Sequence, residues 1–266
     1  MKPREILITN DDGIDARGIH FLAGMMRHYG NVTIVAPKVP QSAKSAALTL
    51  HTPMYLEKAG ESEGYRMFTL TGTPVDCVKM GMRLFLEEGR TPDLLMSGIN
   101  HGTNASVATI YSGTLGATAE GCIYGVPSIG FSIDTHDPEA DFSVVARFGP
   151  GILDEALEKG LPKGTYLNIN FPNIAPAEVQ GIRVTRMGRG RWVREYDPET
   201  DSEGRDCYVM RGIFENLEDS YKVPAPGEGI TGDHVALKAN YIAITPVRLD
   251  STDYEAADEI VRSWKL

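Results

Sequence analysis

The chain has 266 residues, of which 42% are hydrophobic and 23% are charged, the balance of an ordinary globular protein. Its formal net charge of −10 leaves no general basic surface for duplex nucleic acid, although a local site can still hold a small phosphate ester. The three cysteines have no metal-site spacing, and we recognise neither a signal peptide nor an apolar run of about 18 residues. We therefore expect a cytoplasmic protein without disulfides and without a membrane partner.

The first half of the chain alternates strand and helix signals. Strands are predicted at residues 6–8, 32–36, 54–56, 67–70, 94–96 and 126–133, of which the third and fourth form a hairpin. Between them, an apolar stripe at residues 19–26 predicts a helix with Gly30 as its C-cap, Pro74 begins a second helix, and residues 113–124 form a third. This alternation predicts an α/β fold with a doubly wound, mostly parallel sheet.

The second half is less regular. A helix is predicted at residues 142–157, bent or split around Pro150, with strands at 166–170, 182–185 and 241–245 and a final helix at 254–264. Residues 187–230 lack an apolar period and predict an extended arm or a hairpin. We therefore divide the chain into a catalytic core, residues 1–180, and a C-terminal extension, residues 181–266, that mediates oligomerisation.

Two adjacent aspartates follow the first predicted strand, in the run Asn10-Asp11-Asp12-Gly13. Ligands of open α/β sheets bind beyond the carboxyl ends of the strands, and two neighbouring carboxylates need a compensating charge. A hard divalent cation supplies that charge through oxygen ligands. The alternative is a solvated acidic turn, since turns favour the same residue types.

Polar groups also follow other strand signals, and parallel strands bring such groups to one edge of the sheet. With the aspartate pair they form four clusters: Asn10-Asp11-Asp12, Gln41-Ser42, Ser97-Gly98-Ile99-Asn100 and Tyr111-Ser112-Gly113-Thr114. Carboxylate, hydroxyl and amide oxygens are a hard ligand set, which suits Mg²⁺, Mn²⁺ or Ca²⁺ better than Zn²⁺. About four protein ligands leave positions open for water or substrate, as a catalytic site requires.

The segment Ser112-Gly113-Thr114 precedes a helix of small residues. The free N–H groups and the positive dipole end of a helix N-terminus attract phosphate, and Gly113 permits close approach. Asn104, which lies between two clusters, could donate to a phosphate oxygen. The alternatives are plain N-capping by Ser112 and, for Asn104, a loop asparagine that bonds its own backbone.

These residues resemble the stationary-phase survival protein SurE family of metal-dependent 5′-nucleotidases. The matching motifs are ITNDDGI at 8–14, AP and QS at 36–42, GTPVDCV at 72–78, PDL and SGINHG at 92–102, YSGT at 111–114, NIN at 168–170 and YIAITP at 241–246. The resemblance covers nearly the whole chain. It implies a Rossmann-like fold, a homodimer or homotetramer, and one Mg²⁺ or Mn²⁺ per subunit bound by Asp11, Asp12, Ser42 and Asn100. One departure is Ala43, where the family usually has glycine, which affects the conformation of the Ser42 loop.

We therefore predict an enzyme that hydrolyses nucleoside 5′-monophosphates, with Asp11 and Asp12 as catalytic residues. Phosphate contacts are predicted from the polar residues around them, Asn10, Asn104, Ser112, Gly113 and Thr114. Water is the favoured nucleophile, and an aspartyl phosphate at Asp11 is the alternative. A broader phosphate hydrolase, acting on nucleotide 3′ ends or short polyphosphate, and a non-catalytic nucleotide-binding module are the other functions considered.

A local basic stretch with Trp192 contains arginines at positions 183, 186, 189, 191 and 194. It predicts either a surface for phosphates or short nucleic acid, or an arm that pairs with acidic residues such as 197–206 of another subunit, and we favour the second. His101 could help a leaving group, whereas Asp76 and Cys77 are interpreted as structural.

Overall fold

The first strand, β1 (Arg4–Thr9), is buried on both faces. In the computed structural model, which describes residues 3–225 and 227–264, Ile6 and Ile8 pack into one apolar cluster and Leu7 packs into a second. A strand of this kind needs helices on both sides, because neither face can be left to water. The fold accordingly has three layers, with helices on both faces of a central sheet.

Strands and helices follow one another largely as predicted. The strands are β1, β2 (Gly30–Pro37), β3 (Leu56–Ser62), β4 (Tyr65–Leu70), β5 (Leu94–His101), β6 (Ser128–Ile133), β7 (Thr165–Phe171), β8 (Gly181–Val184), β9 (Gly190–Val193), β10 (Tyr196–Thr200), β11 (Asp206–Met210), β12 (Ile213–Asn216) and β13 (Tyr241–Arg248). The helices are α1 (Arg17–Met26), α2 (Pro74–Glu87), α3 (Ala108–Tyr111), α4 (Gly113–Ile123), α5 (Ser143–Lys159), α6 (Asp233–Lys238) and α7 (Tyr254–Ser263). None of the helices in the described part of the chain is long and apolar enough to cross a lipid bilayer.

The main sheet has nine strands in the order β3-β4-β2-β1-β5-β6-β7-β13-β8. Neighbours from β4 to β7 are parallel, whereas β3 is antiparallel to β4 and β13 is antiparallel to β7. This confirms the doubly wound, mostly parallel sheet. The carboxyl ends of β1, β2, β5 and β6 therefore lie along one edge, where ligands of such folds bind.

Helix α2 begins where Pro74 predicts, and its N-terminus is closed by a capping box. Thr73 Oγ1 accepts from the Asp76 N–H at 3.2 Å, and Asp76 Oδ2 accepts from the Thr73 N–H at 2.9 Å. Asp76 also accepts from the N–H of Thr49 at 3.2 Å, which ties the long loop after β2 to this helix. The structural interpretation of Asp76 is confirmed, as is that of Cys77, which is fully buried.

Two local predictions were wrong. Gly30 does not cap α1, which ends at Met26, and instead begins β2. A Cβ at Gly30 would lie 2.1 Å from the Arg4 carbonyl oxygen, so the close pairing of β1 and β2 requires glycine there. Of the two alternatives for the helix predicted at residues 142–157, bent or split around Pro150, the split is wrong, since α5 runs on through Pro150. Residues on both sides of the proline pack into the core cluster, and this packing outweighs the local preference for a break.

The segment after β8 forms a hairpin of two ladders, here called the arm, residues 190–216. Strands β9 and β12 pair at its base, and β10 and β11 pair at its tip, both antiparallel. The hairpin alternative is therefore confirmed. Strands β8 and β13 belong to the main sheet, so the boundary expected at residue 181 passes through that sheet. The role of this region in oligomerisation stays a prediction.

Candidate active site

The aspartate pair follows β1, at the carboxyl edge of the sheet. Asp11 is only 6% exposed, and Thr114 Oγ1 donates to its Oδ1 at 2.5 Å. Asp12 Oδ2 accepts from the backbone N–H of His101 at 3.1 Å and lies 3.2 Å from His101 Nδ1. Each carboxylate is therefore fixed by a different element, Asp11 by the start of α4 and Asp12 by the end of β5.

No lysine or arginine that the structure describes compensates the negative charge of this pair. Within residues 3–225 and 227–264, neither Asp11 nor Asp12 forms an ion pair with a lysine or arginine, and His101 is the only basic side chain in contact. Burial raises the pKa of Asp11 to about 6, the charge of Asp12 adds to the rise, and the Thr114 hydrogen bond opposes it. A buried carboxylate beside a second one is the arrangement that a bound cation relieves.

The donor atoms present fit a hard cation. The described residues contain no group of three or more His, Cys, Asp and Glu side chains that could hold a metal. Beyond the two carboxylates and the His101 ring that contacts Asp12, the neighbouring donors are hydroxyl and amide oxygens, which suit Mg²⁺ or Mn²⁺ better than Zn²⁺.

Asn100 and Ser42 are the other two ligands that the family resemblance implies. Asn100, in β5, is 8% exposed, and its Nδ2 donates to the Gly102 carbonyl at 2.6 Å, which leaves Oδ1 as the end available to a cation. Ser42 is exposed and follows Gln41, whose N–H donates to the Asp11 carbonyl at 2.7 Å. The structure thus brings the start of the Ser42 loop to the aspartate pair. Metal binding by these two residues stays a prediction.

The Ser42 loop keeps the conformation that glycine would favour. Ala43 has a φ of 58°, in the left-handed region, which costs an L-residue roughly 1–2 kcal/mol. Contacts further along hold the loop, since Ser45 donates from its N–H to the Tyr111 carbonyl at 3.0 Å and from its Oγ to the Ile110 carbonyl at 2.7 Å. The departure from the family at Ala43 therefore leaves the loop anchored on both sides of Ser42.

The first turn of α4 lies directly against Asp11. A Cβ at Gly113 would lie 2.9 Å from Asp11 Cβ and 3.1 Å from Asp11 Oδ2, so this contact requires glycine. Ser112 Oγ accepts from the Leu115 N–H at 3.1 Å, which is the N-capping arrangement weighed as an alternative. The structure thus brings Asp11, Gly113 and Thr114 together. Phosphate contacts from Ser112, Gly113 and Thr114 stay predictions.

Asn10 and Asn104 are buried beside this centre. Asn10 Nδ2 donates to the Gly13 carbonyl at 2.8 Å, and its buried Oδ1 has no hydrogen-bond partner among the described residues. Asn104 Nδ2 donates to Ser132 Oγ at 2.8 Å. The alternative that Asn104 bonds its own backbone is therefore wrong, whereas the predicted phosphate contacts of both residues are still untested.

Sequence reasoning missed Asp233, the first residue of α6. This fully buried side chain accepts at its Oδ1 from the N–H of Ser106 at 2.8 Å and from the N–H of Gly188 at 3.0 Å. It thereby ties the loop after β5 to the chain that leads into the arm. An aspartate at the start of a helix was the only available signal, and α6 has six residues, too few to show a helical period.

Three of the five arginines of the basic stretch form ion pairs within their own chain. Arg186 and Arg189 contact Glu218, and Arg191 contacts Glu215. The acidic residues 197 and 199 are paired with Arg211 of the same hairpin. The ring centroids of Trp192 and Phe214 are 5.7 Å apart. The favoured interpretation paired these arginines with acidic residues of another subunit, whereas here both kinds of residue already form ion pairs within one chain.

Comparisons with known proteins agree along nearly the whole chain. Residues 6–194 match the family described as Survival protein SurE. A 5′-nucleotidase SurE of Chlorobium luteolum is 38% identical over 262 residues, 98% of this chain and 96% of that protein. A 5′-nucleotidase SurE of Bacteroides fragilis is 39% identical over 261 residues, 98% of this chain and 97% of that protein. The crystal structure of the SurE protein from Aquifex aeolicus superimposes with a TM-score of 0.79 at 33% identity, covering 97% of this chain and 98% of that one.

Proposed function

The chain belongs to the survival protein SurE family, and from that membership we infer that it is a 5′-nucleotidase, a phosphoric monoester hydrolase acting on nucleoside 5′-monophosphates. The structural observation that supports this most directly is an uncompensated pair of carboxylates beside the first turn of a helix. The carboxylates offer a place for a cation and the helix offers N–H groups to phosphate, which are the two requirements of phosphoryl transfer.

The residues of the site divide the chemistry between them. Asp11, Asp12, Ser42 and Asn100 would hold one divalent cation, Mg²⁺ or Mn²⁺, which would supply positive charge against that of the phosphoryl group. Thr114 holds the buried Asp11 carboxylate by its hydrogen bond to Oδ1. The N-terminal turn of α4 would receive phosphoryl oxygens on its N–H groups.

We propose water as the nucleophile, with attack by the Asp11 carboxylate as the competing route. Asp11 is buried and engaged by Thr114, which favours its role as a fixed ligand. A single in-line attack by water inverts the configuration of a substrate made chiral at phosphorus, whereas an aspartyl phosphate requires two displacements. Inversion is the expected result, and net retention would show that Asp11, and not water, is the nucleophile.

We also propose that the enzyme works in the cytoplasm as a homodimer or homotetramer assembled through the arm. Several large side chains of the outer ladder, formed by β10 and β11 at the tip of the arm, are exposed, among them Tyr196, Tyr208 and Met210. An isolated two-stranded ladder is marginally stable in water, and burial of these side chains against a second copy would stabilise it.

The function is tested by Asp11→Asn, with Asp15→Asn as the matched control. Asp15 is an exposed carboxylate four residues away. Removing a cation ligand forfeits charge stabilisation, so Asp11→Asn should lower the turnover of nucleoside 5′-monophosphates in Mn²⁺ by about 100-fold or more, and EDTA should do the same to the parent protein. Asp15→Asn should match the parent. A parent that stays active in EDTA, or an active Asp11→Asn variant, would remove the metal assignment.

A further inference from the structure

Two buried asparagines of β7 contact the loop that joins the two halves of the site. Asn168 and Asn170 are fully buried and two residues apart, so their side chains lie on the same face of the strand. Asn170 Oδ1 accepts from Thr103 Oγ1 at 3.0 Å and from the N–H of Asn104 at 2.8 Å. Asn170 Nδ2 donates to Asn168 Oδ1 at 2.8 Å, which joins the two amides.

Asn104 is held from three sides by this network. Asn168 Nδ2 donates to its carbonyl oxygen at 2.9 Å, and Thr109 Oγ1 donates to the same oxygen at 2.8 Å. Its side-chain Nδ2 donates to Ser132 Oγ in β6. The N–H, the carbonyl and the side chain of Asn104 are thus each fixed by a neighbouring strand or helix.

The fixed segment connects the two functional ends of the site. Asn100, a proposed cation ligand, precedes it in β5, and Ser112, which begins the proposed phosphate-binding turn, follows it. A fully satisfied buried polar network rigidifies and specifies a geometry, whereas apolar side chains of the same size would fill the space without directing the chain. The hydrogen bonds of this network therefore fix the position of the segment, which apolar packing alone would not do.

We propose that Asn168, Asn170 and Ser132 are positioning residues for the 5′-nucleotidase reaction. They hold Asn104 and the segment around it, residues 103–106. This keeps a fixed distance between Asn100, the proposed cation ligand, and the proposed phosphate-binding turn that begins at Ser112. The inference rests on the proposed function. A displacement of about 1 Å can lower a rate about 100-fold, so losing these bonds should reduce kcat more than it raises KM.

Ser132→Ala is the mildest test, and β6 offers its own control. Ser128 and Ser132 are both fully buried and lie toward opposite ends of this strand. Ser128 Oγ donates to the Val126 carbonyl at 2.8 Å. Ser128→Ala therefore removes a buried hydroxyl of the same kind without touching Asn104. Asn170→Asp is the second variant, because it keeps the size and the accepting oxygen but places an oxygen against Asn168 Oδ1.

Both variants should lower kcat by about 10-fold or more, weaken inhibition by inorganic phosphate, and leave the Mn²⁺ affinity measured by calorimetry within about twofold of the parent. The amides of residues 103–106 should exchange with deuterium faster, and Ser128→Ala should change none of these quantities. A folded Ser132→Ala or Asn170→Asp protein with parental kcat and parental exchange overturns the positioning role, whatever its melting temperature. If the parent itself hydrolyses no nucleotide, the proposed function fails, and phosphate affinity and amide exchange still decide the role of the network.

Discussion

At the scale of single residues, Gly113 sets how closely α4 approaches Asp11. We expect Gly113→Ala to lower nucleotide turnover by about 100-fold, because the new Cβ would lie 2.9 Å from Asp11 Cβ and must displace the carboxylate. Alanine has the higher helix propensity by about 1 kcal/mol, so any loss of thermal stability would come from the crowding of Asp11 and of Pro74 Cγ, which would lie 3.2 Å from the new Cβ. Steady-state kinetics and thermal melting measure the two effects.

Gly24→Ala is the control for that substitution. Gly24 lies in α1, and a Cβ there would meet nothing within 4 Å. This variant should gain up to about 1 kcal/mol of stability and keep the parental turnover. If Gly113→Ala also keeps the parental turnover, the close contact between α4 and Asp11 is not needed for catalysis.

The sequence predicted those residues of the candidate site that directly follow a strand. Asp11 and Asp12 were found because an apolar run stops at them and because strand ends gather at one edge of the sheet. Asp233 and the contacts of Asn168 could not be found that way. They depend on which strands become neighbours, and no local pattern reveals that β13 lies beside β7.

At the scale of secondary-structure elements, long elements with a clear apolar period were predicted and short ones were not. Helix α2 shows its buried stripe over 14 residues and begins at a proline, and both signals predicted it. Helices α3 and α6 have four and six residues, which are too few for a period to appear. Helix α5 was expected to bend or split around Pro150. It does not split, because residues on both sides of the proline pack into one core cluster, and local propensity does not reveal such packing.

The base of the arm should be sensitive to pH through Glu218. Its carboxylate accepts from Arg186 Nη1 and Nη2 and from the N–H of Arg189, each at 2.7 Å. The hydrogen bonds from Arg186 lower the pKa of Glu218 from 4.5 to about 2. Because the folded pKa is below the unfolded one, this stabilisation is present above about pH 4.5 and is lost as the pH falls toward 2.

Glu218→Gln should therefore lower the melting temperature by a few degrees at pH 7, and the difference from the parent should shrink between pH 4.5 and 3. Glu215→Gln is the control, since its pair with Arg191 is more exposed and contributes little. A difference between Glu218→Gln and the parent that stays constant over this range would contradict the assignment.

At the scale of the whole molecule, the outer ladder of the arm can be removed without touching the sheet. The N–H of Arg211 donates to the carbonyl of Glu195 at 2.7 Å, so a two-residue Asn-Gly turn can join these positions in place of residues 196–210. We expect a smaller assembly by light scattering, because Tyr208 and Met210 would no longer be present to contact a second copy. Mn²⁺ affinity measured by calorimetry should stay at the parental value.

Two results would contradict the proposal that the arm contributes to assembly and not to cation binding. Unchanged assembly size together with lost Mn²⁺ binding would place the arm in the active site. Unchanged size with unchanged Mn²⁺ binding would move the subunit contact elsewhere. A substitution of Tyr208 by serine in the intact arm separates the loss of its side chain from the loss of the ladder, since Tyr208 is 73% exposed.

The position of β13 makes the order of synthesis matter. It is the last strand in the part of the chain that the structure describes, yet it lies between β7 and β8, and no other described strand pairs with β8. Until β13 is in place, the edge of β7 that it covers is bare, which invites aggregation, and β8 lacks the strand with which it pairs. Closing that side of the sheet requires contacts distant in sequence, which form slowly. The carboxylate of Asp233, which accepts from the Ser106 N–H, lies just before this closing strand in the sequence, so the loop beside the candidate active site is secured only once the last part of the sheet has been synthesised.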